Sequence, residues 1–182
     1  MSEQLLTANI ERVFAVLDLN GDGRVEWADF KTITEAVSRE FAVPADAAEP
    51  ANLLAAYREV WDYVRDVADA DSDGAVTKQE FEHAHLSGEL SLDAVADLWA
   101  AVSDRCFELI DRDGDGHVDQ AALAALYRAA EVADAELVAA TAFAAMDANS
   151  DGHVDKAEFT ANVRGVFTAT SESMKGAHML GG

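Results

Sequence analysis

Four stretches of this chain set oxygen-bearing side chains at alternate positions around a glycine. They read DLNGDGRVEWAD (Asp18 to Asp29), DADSDGAVTKQE (Asp69 to Glu80), DRDGDGHVDQAA (Asp111 to Ala122) and DANSDGHVDKAE (Asp147 to Glu158). Positions 1, 3 and 5 are Asp18, Asn20 and Asp22 in the first, and Asp69, Asp71 and Asp73 in the second. They are Asp111, Asp113 and Asp115 in the third, and Asp147, Asn149 and Asp151 in the fourth. Carboxylate and amide oxygens are hard donors. A hard cation such as Ca²⁺ takes about six to eight of them at about 2.3–2.6 Å, so a chain that holds one must curl and offer oxygen at alternate residues. Position 6 is glycine each time, which lets the chain turn sharply because a residue without Cβ adopts a positive φ at little cost. Position 7 (Arg24, Ala75, His117, His153) then offers its backbone carbonyl. Position 12 closes the cage with a carboxylate from Asp29, Glu80 or Glu158, and in the third stretch it is Ala122.

Four copies in phase are identified as EF-hand calcium loops. The flanking residues agree. Position −1 is Leu17, Ala68, Ile110 and Met146, and position −4 is Phe14, Arg65, Phe107 and Phe143. Spacings of −1, −4, −5 and −8 define one face of a helix, so a helix enters each loop. The second motif departs at Arg65, where Val64 and Trp61 keep the face apolar. Position 13 (Phe30, Phe81, Leu123, Phe159) opens the apolar face of each exiting helix. Position 8 is valine throughout, the residue expected if loops pair by a short antiparallel bridge with these side chains turned inward. The dockerin calcium loop shares part of the pattern, but it lacks an entering helix and its loops lie closer together than the spacings of 51, 42 and 36 residues between loop starts here.

Composition fits an ordered helical protein with a concentrated anionic load. The 182 residues carry 35 Asp and Glu against 13 Lys and Arg, a net charge of −22, and half are apolar. That charge argues against nucleic acid and anionic membrane as partners. The abundant, periodic apolar residues argue against disorder. Pro44 and Pro50 mark one break between helices. No apolar run approaches the roughly 18–20 residues of a membrane span, and the first ten residues lack the basic and apolar regions of a leader. A single cysteine excludes an internal disulfide. The expected location is the cytoplasm.

Four motifs in about this length, a long first spacing, and Asp29 at position 12 followed by Phe30 resemble the sarcoplasmic calcium-binding protein and calerythrin family. The resemblance implies an all-α fold in which two EF-hand pairs pack into one body, with 1–88 as the N-terminal pair and 89–182 as the C-terminal pair. It implies a calcium buffer, and a C-terminal tail folded back on the helices, whereas the tail residues themselves, polar from Thr168 to Lys175 and followed by Met179 and Leu180, equally fit a free, disordered end. Ala122 departs from the family pattern. The expected metal ligands are therefore Asp18, Asn20, Asp22, Arg24 and Asp29, then Asp69, Asp71, Asp73, Ala75 and Glu80, then Asp147, Asn149, Asp151, His153 and Glu158. Asp29 is one methylene shorter than glutamate, so the first site should tolerate Mg²⁺. The third loop should be weak or empty, which leaves about three Ca²⁺ sites.

Other conspicuous residues have structural explanations. Cys106 stands at position −5, like Val13, Val64 and Ala142, and is expected in the core. His117 and His153 supply carbonyls at position 7, with their imidazoles as spectators. His83 and His85 are two apart on a helix, which is poor geometry for a shared ion; His85 should face inward. No serine or cysteine sits beside a histidine in a recognisable catalytic motif, so no enzyme is expected. Three functions are weighed: a buffer; a sensor that exposes a groove for a partner protein; and, ranked last, a calcium-triggered photoprotein, which needs a buried luciferin and by resemblance a C-terminal proline where this chain has Gly181-Gly182. Sensor grooves are rich in methionine, and only Met146 lies beside a loop. Ser87-Gly88 also disfavours a continuous helix holding two lobes apart.

Overall fold

The computed structural model describes residues 2–168 and Gly176. Among the described residues, eight helices alternate with loops: α1 (Ser2–Leu17), α2 (Trp27–Glu40), α3 (Glu49–Ala68), α4 (Lys78–Leu86), α5 (Leu92–Ile110), α6 (Gln120–Ala129), α7 (Ala135–Met146) and α8 (Lys156–Thr168). Four two-residue strands complete it: β1 (Arg24–Val25), β2 (Val76–Thr77), β3 (His117–Val118) and β4 (Val154–Asp155). The protein is all-α, with four helix-loop-helix motifs.

Each loop starts where its helix runs out of N–H partners. The first aspartate is the C-cap of α3, α5 and α7, and its N–H still bonds the carbonyl four residues back, at Arg65, Phe107 and Phe143. The break between α2 and α3 falls where the sequence marks it, but by other means. Ala42 takes a positive φ of 49°, and Pro50 lies inside the first turn of α3, where its missing N–H costs nothing. Between the pairs, α4 ends at Leu86, and Gly88 at φ 83° turns the chain into α5.

The loops pair as their valines predict. β1 runs antiparallel to β2 with Val25 opposite Val76, and β3 to β4 with Val118 opposite Val154. All four valines are buried, as are Leu17, Ala68, Ile110 and Met146 at position −1, and Phe30, Phe81, Leu123 and Phe159 at position 13. Cys106 and His85 are buried too, as their positions imply.

The two pairs share one core. Helix α3 packs on α5, α1 on α8 and α2 on α6. Tyr57 meets Trp99 edge-on at 6.0 Å, and Asn9 of α1 donates across to the Val166 carbonyl of α8 at 3.0 Å. A cavity of about 140 Å³ lies at this junction, lined by Val13, Ile33, Tyr57, Trp99, Cys106 and Phe159 among others. The expected tail contact concerns residues outside the described ones, apart from Gly176. That residue is buried against α8, and its N–H donates to Asn162 Oδ1 at 3.0 Å. Among the described residues, no helix is long and apolar enough to cross a membrane.

Candidate functional site

The loops are wound on their first aspartate. Its two oxygens accept from the backbone N–H of position 5 and of the glycine at position 6. The pairs are Asp22 and Gly23 to Asp18 at 3.0 and 2.9 Å, Asp73 and Gly74 to Asp69 at 3.1 and 3.0 Å, and Asp151 and Gly152 to Asp147 at 3.1 and 3.0 Å. In the third loop, Gly114 and Gly116 donate to Asp111, each at 3.0 Å. The position-6 glycines sit at φ 81–87°, a conformation strained for any residue with a Cβ. Position 3 accepts from position 5, as in Asp22 to Asn20 Oδ1 at 2.8 Å and Asp151 to Asn149 Oδ1 at 2.9 Å. Backbone donors thus hold the side-chain oxygens inward. Carboxylate oxygens of Asp69, Asp71 and Asp73 lie within 4.8 Å of one another, as do those of Asp111, Asp113 and Asp115. An all-oxygen donor set of this kind suits Ca²⁺ or Mg²⁺ rather than zinc or copper.

Position 12 has a second task that the sequence motif does not announce. Position 9 is the N-cap of the exiting helix and position 12 is its N3 residue, so the closing acid also completes a capping box. Glu80 accepts from Thr77 N at 2.9 Å and Glu158 from Asp155 N at 3.2 Å. Each glutamate also reaches across its loop to the N–H of position 2, Ala70 at 3.2 Å and Ala148 at 3.0 Å. Bonds to Thr77 backbone and hydroxyl hold the Glu80 carboxyl below the usual range. The shorter Asp29 accepts from Glu26 N at 2.7 Å, while the N–H of position 2, Leu19, donates to the Leu17 carbonyl at 2.9 Å. Burial pushes its carboxyl up, against that hydrogen bond. In the third loop Asp119 accepts from Ala122 N at 2.7 Å, which is half of the box, and no acid completes it.

The position-7 side chains cross between loops. Arg24 pairs with Asp73 of the second loop, and the guanidinium holds that carboxyl below its usual range. The His117 and His153 rings lie 5.3 Å apart. Sequence reasoning assigned these residues only a carbonyl. The signal available was the bridge register, which turns both position-7 side chains to one face.

The structure therefore winds all four loops in the same way on two bridged pairs, with a closing acid at position 12 in the first, second and fourth. The EF-hand family model, described as "EF hand", matches residues 10–34, 66–84, 103–121 and 138–163. Each match carries one loop, and the third stops one residue short of Ala122. Calerythrin of Saccharopolyspora erythraea is 28% identical over 148 residues, 79% of this chain and 81% of that protein. A probable calcium-binding protein, CML16 of Oryza sativa subsp. japonica, is 34% identical over 116 residues, 64% of this chain; the match spans only 55% of the rice protein. The solved structure of a Streptomyces coelicolor calcium-binding protein, described with prokaryotic calcium-mediated regulation, is 26% identical. It covers 91% of this chain and 99% of its own, with a TM-score of 0.75. The light-sensitive ctenophore photoprotein berovin, whose three calcium-binding loops bind magnesium, shares the fold at 20% identity and a TM-score of 0.68 over 87% and 86% of the chains. With four family matches on four loops, and likeness to calerythrin along most of its length, the chain is a calcium-binding member of the EF-hand family.

Proposed function

We propose that this protein is a cytoplasmic calcium buffer with three tight sites. The ligands are Asp18, Asn20, Asp22, the Arg24 carbonyl and Asp29; Asp69, Asp71, Asp73, the Ala75 carbonyl and Glu80; and Asp147, Asn149, Asp151, the His153 carbonyl and Glu158. The third loop is weak and serves chiefly as the bridge partner of the fourth. Residues 1–88 and 89–182 form the two pairs. One observation carries the buffer reading: both pairs contribute to a common core through Tyr57, Trp99, Asn9 and Val166. A sensor must open its helix pairs to expose a groove, and opening here would break that core. The role is non-enzymatic. The loop carboxylates are engaged by their own backbone donors, and burial pushes the Cys106 thiol up to about 12, far from a reactive thiolate at neutral pH.

A sensor is the second reading, favoured by the regulatory setting of the Streptomyces protein. The photoprotein reading stays behind both. A cavity of about 140 Å³ is well below the roughly 300–1,000 Å³ of sites for larger organic ligands.

The test is a calcium titration that follows heat and the binding of a hydrophobic-surface dye. Sixteen of the 35 acidic residues lie in the loops, and without them the net charge of −22 would be −6. Bound cations relieve that crowding, so the melting temperature should rise strongly with calcium while dye binding barely changes. Strong calcium-dependent dye uptake would make it a sensor. A melting temperature indifferent to calcium would refute tight binding altogether.

A further inference from the structure

Position 7 gives an EF-hand cage only its carbonyl, which leaves its side chain available. In each bridged pair the two position-7 residues are diagonal neighbours on one face. His117 stands opposite Asp155, two residues from His153, and Arg24 stands opposite Thr77, two residues from Ala75. Diagonal neighbours on paired strands are within reach of aromatic and long side chains. The N-terminal pair uses this face for an ion pair: Ala75 is buried and Arg24 turns to Asp73. The C-terminal pair places two exposed imidazoles there, with ring centres 5.3 Å apart and planes at 47°. His83, by contrast, faces Glu89 at 3.6 Å, and His85 is buried in the core.

Imidazole nitrogen suits zinc and copper, whereas Ca²⁺ and Mg²⁺ take oxygen. Metal–nitrogen bonds of about 2.0–2.1 Å in a tetrahedral site hold two imidazole centres roughly 5 Å apart. The observed separation meets that requirement. Loops three and four carry eight carboxylates between them, so the local field attracts a dication.

We propose that His117 and His153 jointly bind a divalent transition-metal ion of the zinc class across the β3–β4 bridge, outside the calcium cages. The two imidazoles supply two ligands, and water completes the shell. Because the histidines belong to different loops, the ion would fasten the third loop to the fourth, where the third has no closing acid of its own.

The experiment uses the full chain at calcium sufficient to fill loops one, two and four, and the histidine variants separate zinc held by the imidazoles from zinc held by the open carboxylates of the third loop. Zinc chloride is titrated calorimetrically while the imidazole resonances are followed by NMR. One zinc per chain is expected, with the His117 and His153 signals shifting together. His117→Ala and His153→Ala should each weaken binding by about tenfold or more, and His83→Ala should bind as the native chain does. Helicity of each variant is checked by circular dichroism, and if an alanine variant does not fold, glutamine at the same position replaces it. Absence of submillimolar zinc binding in the native chain would overturn the proposal. So would zinc binding of native strength in both the His117 and His153 variants.

Discussion

Ala122→Glu should turn the third loop into a tight calcium site. The first half of that loop is already built: Asp111 is bonded by Gly114 and Gly116, and the oxygens of Asp111, Asp113 and Asp115 converge. In the second and fourth loops the position-12 glutamate is held by the N–H groups of positions 2 and 9 at 2.9–3.2 Å. Arg112 and Asp119 occupy those positions in the third, so the new carboxylate has donors waiting. A micromolar site binds with about 8 kcal/mol, and position 12 supplies two of about seven oxygens. Restoring them is worth about 2.3 kcal/mol, or roughly fiftyfold in affinity. Because each position-6 glycine N–H donates to its own position-1 aspartate, the amide signals of Gly23, Gly74, Gly116 and Gly152 report the four loops separately. In the native chain the Gly116 signal should move only at calcium well above that needed for the other three, and in the variant it should move with them. Four comparable sites in the native chain, or no gain at Gly116 on substitution, would refute the reasoning.

Asp29→Glu should raise the preference of the first loop for calcium over magnesium, because the longer side chain can supply two oxygens; competition titrations read at Gly23 check this, and unchanged selectivity would count against it. His85 is buried, and burial outweighs its bond to the Phe81 carbonyl, pushing the imidazole from 6.5 down to about 4. The unfolded chain therefore takes up the proton first. Stability from the neutral ring is full above pH 6.5 and falls as pH drops towards 4, by roughly 2–3 kcal/mol at pH 4.5. Denaturant melts of the native chain and His85→Phe at pH 7 and 4.5 should differ by that amount, and equal losses in both would exclude the mechanism. At Gly176, with φ 83°, a Cβ would come within 2.2 Å of the Gly165 carbonyl carbon and 2.3 Å of Val166 N, so Gly176→Ala should release this contact at a cost of about 2 kcal/mol. A lower melting temperature and faster proteolysis beyond residue 168 are expected, and native values of both would show that the contact does not hold the tail.

The calcium loops could be read from the chain because coordination is local. Twelve consecutive residues supply the whole cage, and the helices on either side are fixed by apolar positions a few residues away, so Leu17, Phe30, Val25 and their equivalents are buried where spacing alone puts them. Ala122 was legible for the same reason: a missing ligand within a repeat is visible against its copies. The capping-box role of Glu80 and Glu158 was latent in the spacing of positions 9 and 12, but it emerges only once the exiting helix is seen to begin there. Features that join distant segments were not legible. The pairing of Arg24 with Asp73, the approach of His117 to His153, the bond from Gly176 to Asn162, and the seam between Tyr57 and Trp99 each link residues 14 to 49 positions apart. Such contacts depend on how whole helices pack and on the register of two-residue bridges, and no local periodicity encodes either. The sequence by itself determined what the loops can hold, because ligand chemistry is set by residue type at fixed offsets. The tertiary structure alone decided which side chains meet across loops and how the two pairs share a core, because those distances follow from packing the helices together.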